Sequence, residues 1–203
     1  MVPALARPRR GRGQEDGERL NTRLSGFSVA PEVLVTERLE LEPIGPQHAD
    51  ALFEATVASR TELLPWMPWA RDPTPAGSRG ATESGERDWD GGSRFHFALV
   101  SRASRQVLGV AGLDRGEPWT AELHYWIRTD HAGRGLTTEA GRALVAWAPR
   151  ALGVRRLTLW AGRDNGASRR VAAKLGFSHL GALDWRPGGG LGDFDAERYE
   201  LHV

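Results

Sequence analysis

Two glycines one residue apart, Gly133 and Gly135, sit in His131–Ala132–Gly133–Arg134–Gly135–Leu136–Thr137–Thr138, just ahead of a stretch with helical periodicity. Without a Cβ, such positions turn tightly and let backbone N–H groups converge on an anion. The N-terminus of the helix that follows adds partial positive charge at the same spot. A phosphate or diphosphate is the natural guest, although the same glycines would equally serve a plain turn between a strand and a helix. Three known phosphate readers do not fit. The Walker pattern needs Gly-Lys-[Ser/Thr], and the chain's one lysine, Lys174, is elsewhere. The dinucleotide fingerprint needs a small third residue where Thr138 stands, and an acid about 20 residues on, where Arg155 and Arg156 stand. Kinase signatures are missing. What remains is a cradle for another kind of nucleotide.

A second segment, Asp164–Asn165–Gly166–Ala167–Ser168 running on to Lys174–Leu175–Gly176–Phe177, opens another helix. Asn165 suits its N-cap, a structural role that is sufficient to explain it. Ser168 falls in the first turn, where its hydroxyl could reach a ligand at the same sheet edge.

These segments need elements to hold them. The spacing predicts a strand over 34–44, then a helix opened by Pro46–Gln47–His48 with Leu52, Phe53, Thr56 and Val57 on one face. Pro65 and Pro68 interrupt the chain, and residues 71–94 read as a loop with one weak helix around 81–89. Strands follow at 95–100, 107–113 and 121–127. Leu136, Ala140, Ala143, Leu144, Trp147 and Ala148 mark an amphipathic helix, which Pro149 should end or kink at a cost of roughly 3 kcal/mol. A strand at 155–162, the helix closed by Gly176, and two strands near 177–185 and 194–202 around the glycine loop 187–192 complete the order. Hairpins with late helical crossovers indicate an α+β fold with a mixed, mostly antiparallel sheet.

Composition narrows the function classes. The 203 residues are 40% hydrophobic and 26% charged, enough to bury a core, and no stretch reaches the roughly 18 apolar residues of a membrane span. Zero cysteines exclude disulfides, thiolate zinc sites and a cysteine nucleophile, and no metal site is expected. Six arginines against three acids make residues 1–24 basic, while the remainder carries 21 basic and 23 acidic groups, so no strong nucleic-acid footprint is expected of the folded part. Residues 1–32 are expected to form a disordered basic arm before a domain over 33–203, in a soluble cytoplasmic protein. Whether the arm touches RNA or is a solvated extension is left open by its composition.

The ordered set of motifs is similar to the GNAT superfamily of acyl-CoA-dependent N-acyltransferases, of the RimJ/RimL type. The residues that carry the resemblance are Thr36–Leu41 (TERLEL), Leu64–Trp69 (LPWMPW), Glu122–Ile127 (ELHYWI), Gly133–Ala140 (GRGLTTEA), and Asp164–Asn165 with Ser168–Arg169 through Phe177. It runs from about Val33 to the C-terminus, and five motifs in order are specific where none would be alone.

The resemblance implies a splayed sheet flanked by helices, whose fourth strand, here 121–127, pairs its backbone at Trp126 and Ile127 with the pantetheine arm of acetyl-CoA. Backbone amides of Gly133, Arg134, Gly135, Leu136, Thr137 and Thr138 would hold the pyrophosphate, with Asn165 and Ser168 near the thioester sulfur. Trp66, Trp69 and Tyr125 would border the acceptor amine. His124 replaces a usual glycine and should alter the acyl end of the slot. Leu180 replaces a common acid, Pro149 replaces a helix-compatible aromatic, and Asp195 and Tyr199 keep the family spacing.

The implied activity is acetyl transfer to a primary amine, preferably a protein or peptide N-terminal α-amine, by a monomer or homodimer. A reference pKa near 7.7–8.0, against about 10.4 for lysine, makes an α-amine the less demanding nucleophile. Candidate bases are Glu122, Asp195 and Asp184, with Glu122 first because its strand should face the cleft; a buried acid paired with an arginine is its other reading. Ser168 is the best hydrogen-bond donor for the thiolate, and a main-chain N–H near Trp126–Ile127 for the oxyanion. Rival readings are a small-amine acetyltransferase, a succinyl or other acyl-CoA transferase on the same fold, and a non-catalytic acyl-CoA sensor or scaffold.

Overall fold

Leu39 and Leu41 are fully buried, as their alternation predicts, but the segment 34–44 is two strands. β1 (Leu34–Val35) pairs antiparallel with β2 (Leu39–Pro43) around a turn in which the Leu39 N–H donates to Thr36 Oγ1 at 3.0 Å. This is the computed structural model of the protein, which describes residues 29–182 and 195–203. A short 3-10 turn, Pro46–His48, leads into α1 (Ala49–Leu63).

The largest correction falls on residues 71–94. α2 (Pro75–Asp90) fills most of the predicted loop. Thr74 caps it by accepting the Gly77 N–H at 3.0 Å, and Pro75 occupies the first turn, where a missing N–H costs nothing. Its glycines misled the sequence reading because one of them serves packing. A Cβ on Gly85 would stand 2.5 Å from Ile44 Cγ2, so glycine there lets the helix lie close on the chain beside it.

β3 (Arg94–Ser101), β4 (Val107–Arg115) and β5 (Thr120–Ile127) form the antiparallel centre of the sheet. α3 (Leu136–Leu152), β6 (Arg156–Gly162), α4 (Gly166–Lys174), β7 (Ser178–Ala182) and β8 (Ala196–His202) follow. The sheet order is β1-β2-β3-β4-β5-β6-β8-β7, with one parallel pair, β5 with β6. This is the mixed, mostly antiparallel α+β arrangement expected. Because 34–44 is two strands, the strand 121–127 is the fifth.

Pro149 does not end α3, which continues to Leu152 with Pro149 inside it. The lost donor is local, and the buried Trp147, Ala148 and Leu152 keep the last turn on the core. Gly153, at φ +65°, then closes the helix with its N–H on the Pro149 carbonyl at 3.1 Å.

Alternation on the central strands separates two faces. Phe95, Phe97, Leu113 and Leu123 face Leu144 and Trp147 of α3 in the main core. Trp89 of α2 reaches into it, with ring centroids 4.9 Å from Phe97 and 6.0 Å from Trp147. Both indoles are satisfied: Trp89 Nε1 donates to the Val29 carbonyl at 2.9 Å and Trp147 Nε1 to Glu32. The chain is thus engaged from Val29, ahead of the predicted boundary at residue 33. Most of the predicted arm, and the segment with Asp184 and the 187–192 loop, lie outside the described residues. The opposite face of the sheet carries His96, Gly112, Asp114, Glu122 and His124, beneath α1 and α2.

The sheet opens where the site must be. β5 keeps register with β4 as far as Ile127, but with β6 at three positions only, Thr120↔Arg156, Ala121↔Leu157 and Glu122↔Thr158. Beyond Glu122 one edge of β5 has no strand beside it among the described residues, and the gap faces the glycine segment. No helix among the described residues is long and apolar enough to cross a membrane.

Candidate active site

The glycine segment forms the floor of a cleft of about 290 Å³ at the splay. Gly133 and Gly135 stand at φ +74° and +79°, a left-handed conformation that L side chains adopt only under strain. Glu139 makes the first helical bond of α3, to the Gly135 carbonyl at 3.0 Å. The N–H groups of Leu136, Thr137 and Thr138 therefore lie ahead of the helical ladder, at the positive end of the helix. Glu139 also ties the loop to the turn between β1 and β2. Its carboxylate accepts from Thr36 Oγ1 at 2.6 Å, the Arg38 N–H at 2.8 Å and Arg38 Nε at 2.7 Å, while Arg38 Nη1 donates to the Arg134 carbonyl at 2.9 Å. Burial pushes the Glu139 carboxyl up, but those donors outweigh it and the net direction is down. The Thr36–Arg38 motif and Glu139 thus hold the cradle in shape, which links two of the sequence motifs physically.

The far wall is α4. Asn165 caps it by accepting the Ser168 N–H on Oδ1 at 3.0 Å, so the structural role proposed for Asn165 holds, and the residue lines the cleft as well. Arg169 Nε reaches Tyr199 Oη at 3.1 Å and Glu197 Oε2 at 3.3 Å, fixing the first turn of α4 to β8. Ser168 Oγ is thereby held 2.9 Å from Tyr125 Oη, a hydroxyl pair bridging the splay. Burial pushes the Tyr125 phenol up to about 12, against the hydrogen bond from Ser168, so the pair stays protonated at neutral pH.

A second cavity, about 560 Å³, lies between the opposite face of the sheet and the roof of α1 and α2. Its walls are mostly apolar, with Leu52, Phe53, Met67, Trp69, Val110 and Trp126 among them; the Trp69 and Trp126 rings are 5.8 Å apart. The two cavities share Met67, Tyr125 and Trp126. The polar floor is a cluster on three strands. His96 Nε2 is 2.6 Å from Asp114 Oδ1, and His124 Nε2 is 3.6 Å from Asp114 Oδ2 and 3.4 Å from Glu122 Oε1.

Each group's ionisation follows from its neighbours. Burial and the Asp114 carboxylate push Glu122 up to about 7, against the Trp160 indole and Arg198. For Asp114, burial works upward but is outweighed by the hydrogen bond from His96 and the charges of His124, His96 and Arg94, and the net shift is down. Burial moves the His124 imidazole down, with Asp114 opposing and His96 and Arg94 adding to the fall, so the ring is neutral at pH 7.

Gly133, Gly135, Leu136, Thr137, Thr138, Trp126, Ile127, Asn165 and Ser168 all line the cleft, as expected for cofactor-binding positions. Arg134 is not among the lining residues: its guanidinium turns back onto the Asp130 carbonyl at 2.9 Å, which leaves the expected role of its backbone N–H untouched. Of the residues expected at the acceptor, Tyr125 and Trp69 line the second cavity, whereas Trp66 lines the cleft. His124 lies on the opposite face of the sheet and lines the second cavity but not the cleft. Glu122 is in the cluster but does not line the cavity; it meets it through His124. Asp195 lines neither cavity and stands 3.4 Å from Arg163. Leu180 is half-exposed on edge strand β7. His96 and Asp114 were missed, since no local motif marks them. Only the alternation of FHFALV, with a histidine opposite two phenylalanines, hints at a polar position on the second face.

Known proteins agree with this geometry. The Acetyltransferase (GNAT) domain family matches residues 38–178. The ribosomal-protein-serine acetyltransferase of Escherichia coli (strain K12) is 26% identical over 158 residues, 74% of this chain and 85% of that protein. The [ribosomal protein uS5]-alanine N-acetyltransferase of the same organism is 29% identical over 161 residues, 76% of this chain and 82% of that protein. Among solved structures, RimL, a ribosomal L7/L12 alpha-N-protein acetyltransferase in complex with coenzyme A, superposes with TM-score 0.76 at 21% identity, covering 85% of this chain and 98% of its own. The microcin C7 self immunity acetyltransferase MccE, in complex with acetyl-CoA and AMP, gives TM-score 0.76 at 18% identity, covering 88% and 99%. The left-handed glycines, the open edge of β5 and the family match agree: the chain belongs to the GNAT family of acetyl-CoA-dependent N-acetyltransferases.

Proposed function

We propose that this enzyme acetylates the α-amine of a protein or peptide N-terminus, of the kind ribosomal proteins present. The observation that carries the reading is the meeting of the two cavities at Tyr125 and Trp126, one suited to the acyl donor and the other to an amine with an apolar neighbourhood. The names of the curated relatives, which act on ribosomal proteins, support the same acceptor class.

Bound acetyl-CoA supplies an acetyl group already activated as a thioester. Backbone amides across Gly133–Thr138 would hold its diphosphate, and Asn165 would border its arm. Ser168 Oγ–H, backed by Tyr125 Oη–H, holds a proton as a hydrogen-bond donor where negative charge develops. The carboxylate–imidazole floor takes the proton that an incoming ammonium must lose. An α-ammonium, with a reference pKa near 7.7–8.0, gives it up at neutral pH far more readily than a lysine.

The test is thiol release from acetyl-CoA with peptides bearing free N-termini, the same peptides N-blocked with a free lysine, and small amines. Release with free N-termini only is the expected result. Release with small amines only would replace the acceptor, a reading that the bounded size of the second cavity favours among the alternatives.

A further inference from the structure

We propose that His124 is the base that takes the proton from the acceptor's ammonium group, with Asp114 and His96 positioning its ring. The proposal rests on the acetyl-transfer reading and gives a proton-transfer role to a residue that the resemblance placed at the acyl end of the slot.

The register builds the cluster. His96, Gly112 and His124 are paired across β3, β4 and β5, and Arg94, Asp114 and Glu122 form the adjacent row on the same face. Gly112 makes the arrangement possible. A Cβ there would stand 2.7 Å from the Phe95 carbonyl oxygen and from His96 Cα, and would collide with the His96 ring. In its absence the two imidazoles approach to 6.3 Å between centroids, edge to face, with Asp114 reaching both.

Of the four titratable groups in the cluster, His96, Asp114 and His124 line the cavity, and Glu122 does not. His124 Nε2 faces two carboxylates, Asp114 Oδ2 at 3.6 Å and Glu122 Oε1 at 3.4 Å. Nε2 is thus the nitrogen turned toward the two acids, at charge-contact and not hydrogen-bond distance, and Nδ1 is assigned as the basic nitrogen of the neutral ring. In the step, an ammonium N–H bond breaks and an Nδ1–H bond forms, while the nitrogen keeps the electron pair it needs as nucleophile. The imidazolium is then held between Asp114 and Glu122 until its proton leaves to water.

The surroundings favour that role. Arg94, 3.4 Å from Asp114 and 3.7 Å from Asp88, and His96 are the charged or titratable groups on β3. Arg198 and Trp160 act on Glu122 from β8 and β6. α1 and α2 present Thr56, Ser78 and Thr82 to the cavity and no charge, and Asp72 stands at its rim. Burial keeps the ring neutral and competent. Among the described residues no group of three His, Asp or Glu side chains is placed to hold a metal ion, so the cluster is read as proton-handling.

The experiment compares wild type, His124→Gln and His124→Gly in kcat/KM against pH with a free-N-terminus peptide, alongside acetyl-CoA affinity. His124→Gln is expected to lose about 100-fold in kcat/KM at pH 7, within the range of general-base catalysis, with acetyl-CoA Kd within about twofold and the acidic limb of the profile gone. His124→Gly, which restores the residue usual at this position in the resembling family, should recover about tenfold on adding imidazole. A loss below about tenfold, or a profile of unchanged shape, overturns the assignment. If wild type acetylates no amine, the acetyl-transfer reading itself fails, and the ring nitrogens decide the base separately. Heteronuclear NMR of the free protein should find His124 neutral at pH 7 with its proton on Nε2; a charged ring or an Nδ1–H tautomer overturns the proposal.

Discussion

The glycine-floored cleft and the second cavity meet at Tyr125 and Trp126, yet they are made of different material. The cleft is mostly backbone: two left-handed glycines, a helix N-terminus and the open edge of β5, with Asn165 and Ser168 in a single helical turn opposite. The second cavity is made of side chains from three strands, two helices and the 67–74 segment, and its polar floor exists only because β3, β4 and β5 pair in one register. Backbone sites tolerate exchange of side chains but not of glycine. Side-chain sites can be retuned residue by residue, so a family can keep one donor while changing acceptors.

Four substitutions would break or sharpen that contrast. The largest effect is expected for Gly135→Trp, which puts a bulky side chain on a left-handed residue of the cradle; acetyl-CoA affinity should fall at least ~100-fold by calorimetry, about 2.7 kcal/mol. Unchanged affinity would break the assignment of the cleft. Gly112→Val should destabilise the fold by about 2–4 kcal/mol in urea unfolding, because its Cβ meets the Phe95 carbonyl and His96. Whatever fraction remains folded should bind acetyl-CoA normally, which separates the two sites.

Glu122→Gln tests the electrostatics of the floor. The folded value near 7 lies above the ordinary 4.5, so between those pH values the folded chain holds more protons and wild-type stability falls as pH rises. Glutamine removes that dependence. The variant should match wild type below about pH 4 and gain on it up to about 3 kcal/mol by pH 8, from the linkage of one pKa unit to about 1.4 kcal/mol. Parallel stability curves would show that Glu122 is not held in this environment. Smallest, Ser168→Ala should lower kcat by ~10- to 100-fold with acetyl-CoA Kd within about twofold. Equal losses in both would reduce Ser168 to a binding residue.

The same contrast governs what could be read in the sequence. Gly133–Thr138 and Asn165–Ser168 are each contiguous, so these parts of the cleft were legible together, and all but Arg134 and Gly166 line it. His96, Asp114 and His124 are far apart in the chain and meet only through strand register, which no local pattern records. α2 was hidden for a related reason. Its glycines look like breakers, but Gly85 is there because a Cβ would run into Ile44, a contact visible only after folding. Pro149, expected to end or kink α3, does not end it, since burial of Trp147 and Leu152 holds the last turn on the core.

The most direct test of the account is to locate the acetyl group by tandem mass spectrometry after incubating the enzyme with acetyl-CoA and a peptide carrying both a free α-amine and an internal lysine. The account predicts acetyl on the α-nitrogen alone. Acetyl on the lysine, or an unmodified peptide while acetyl-CoA is bound, would contradict it.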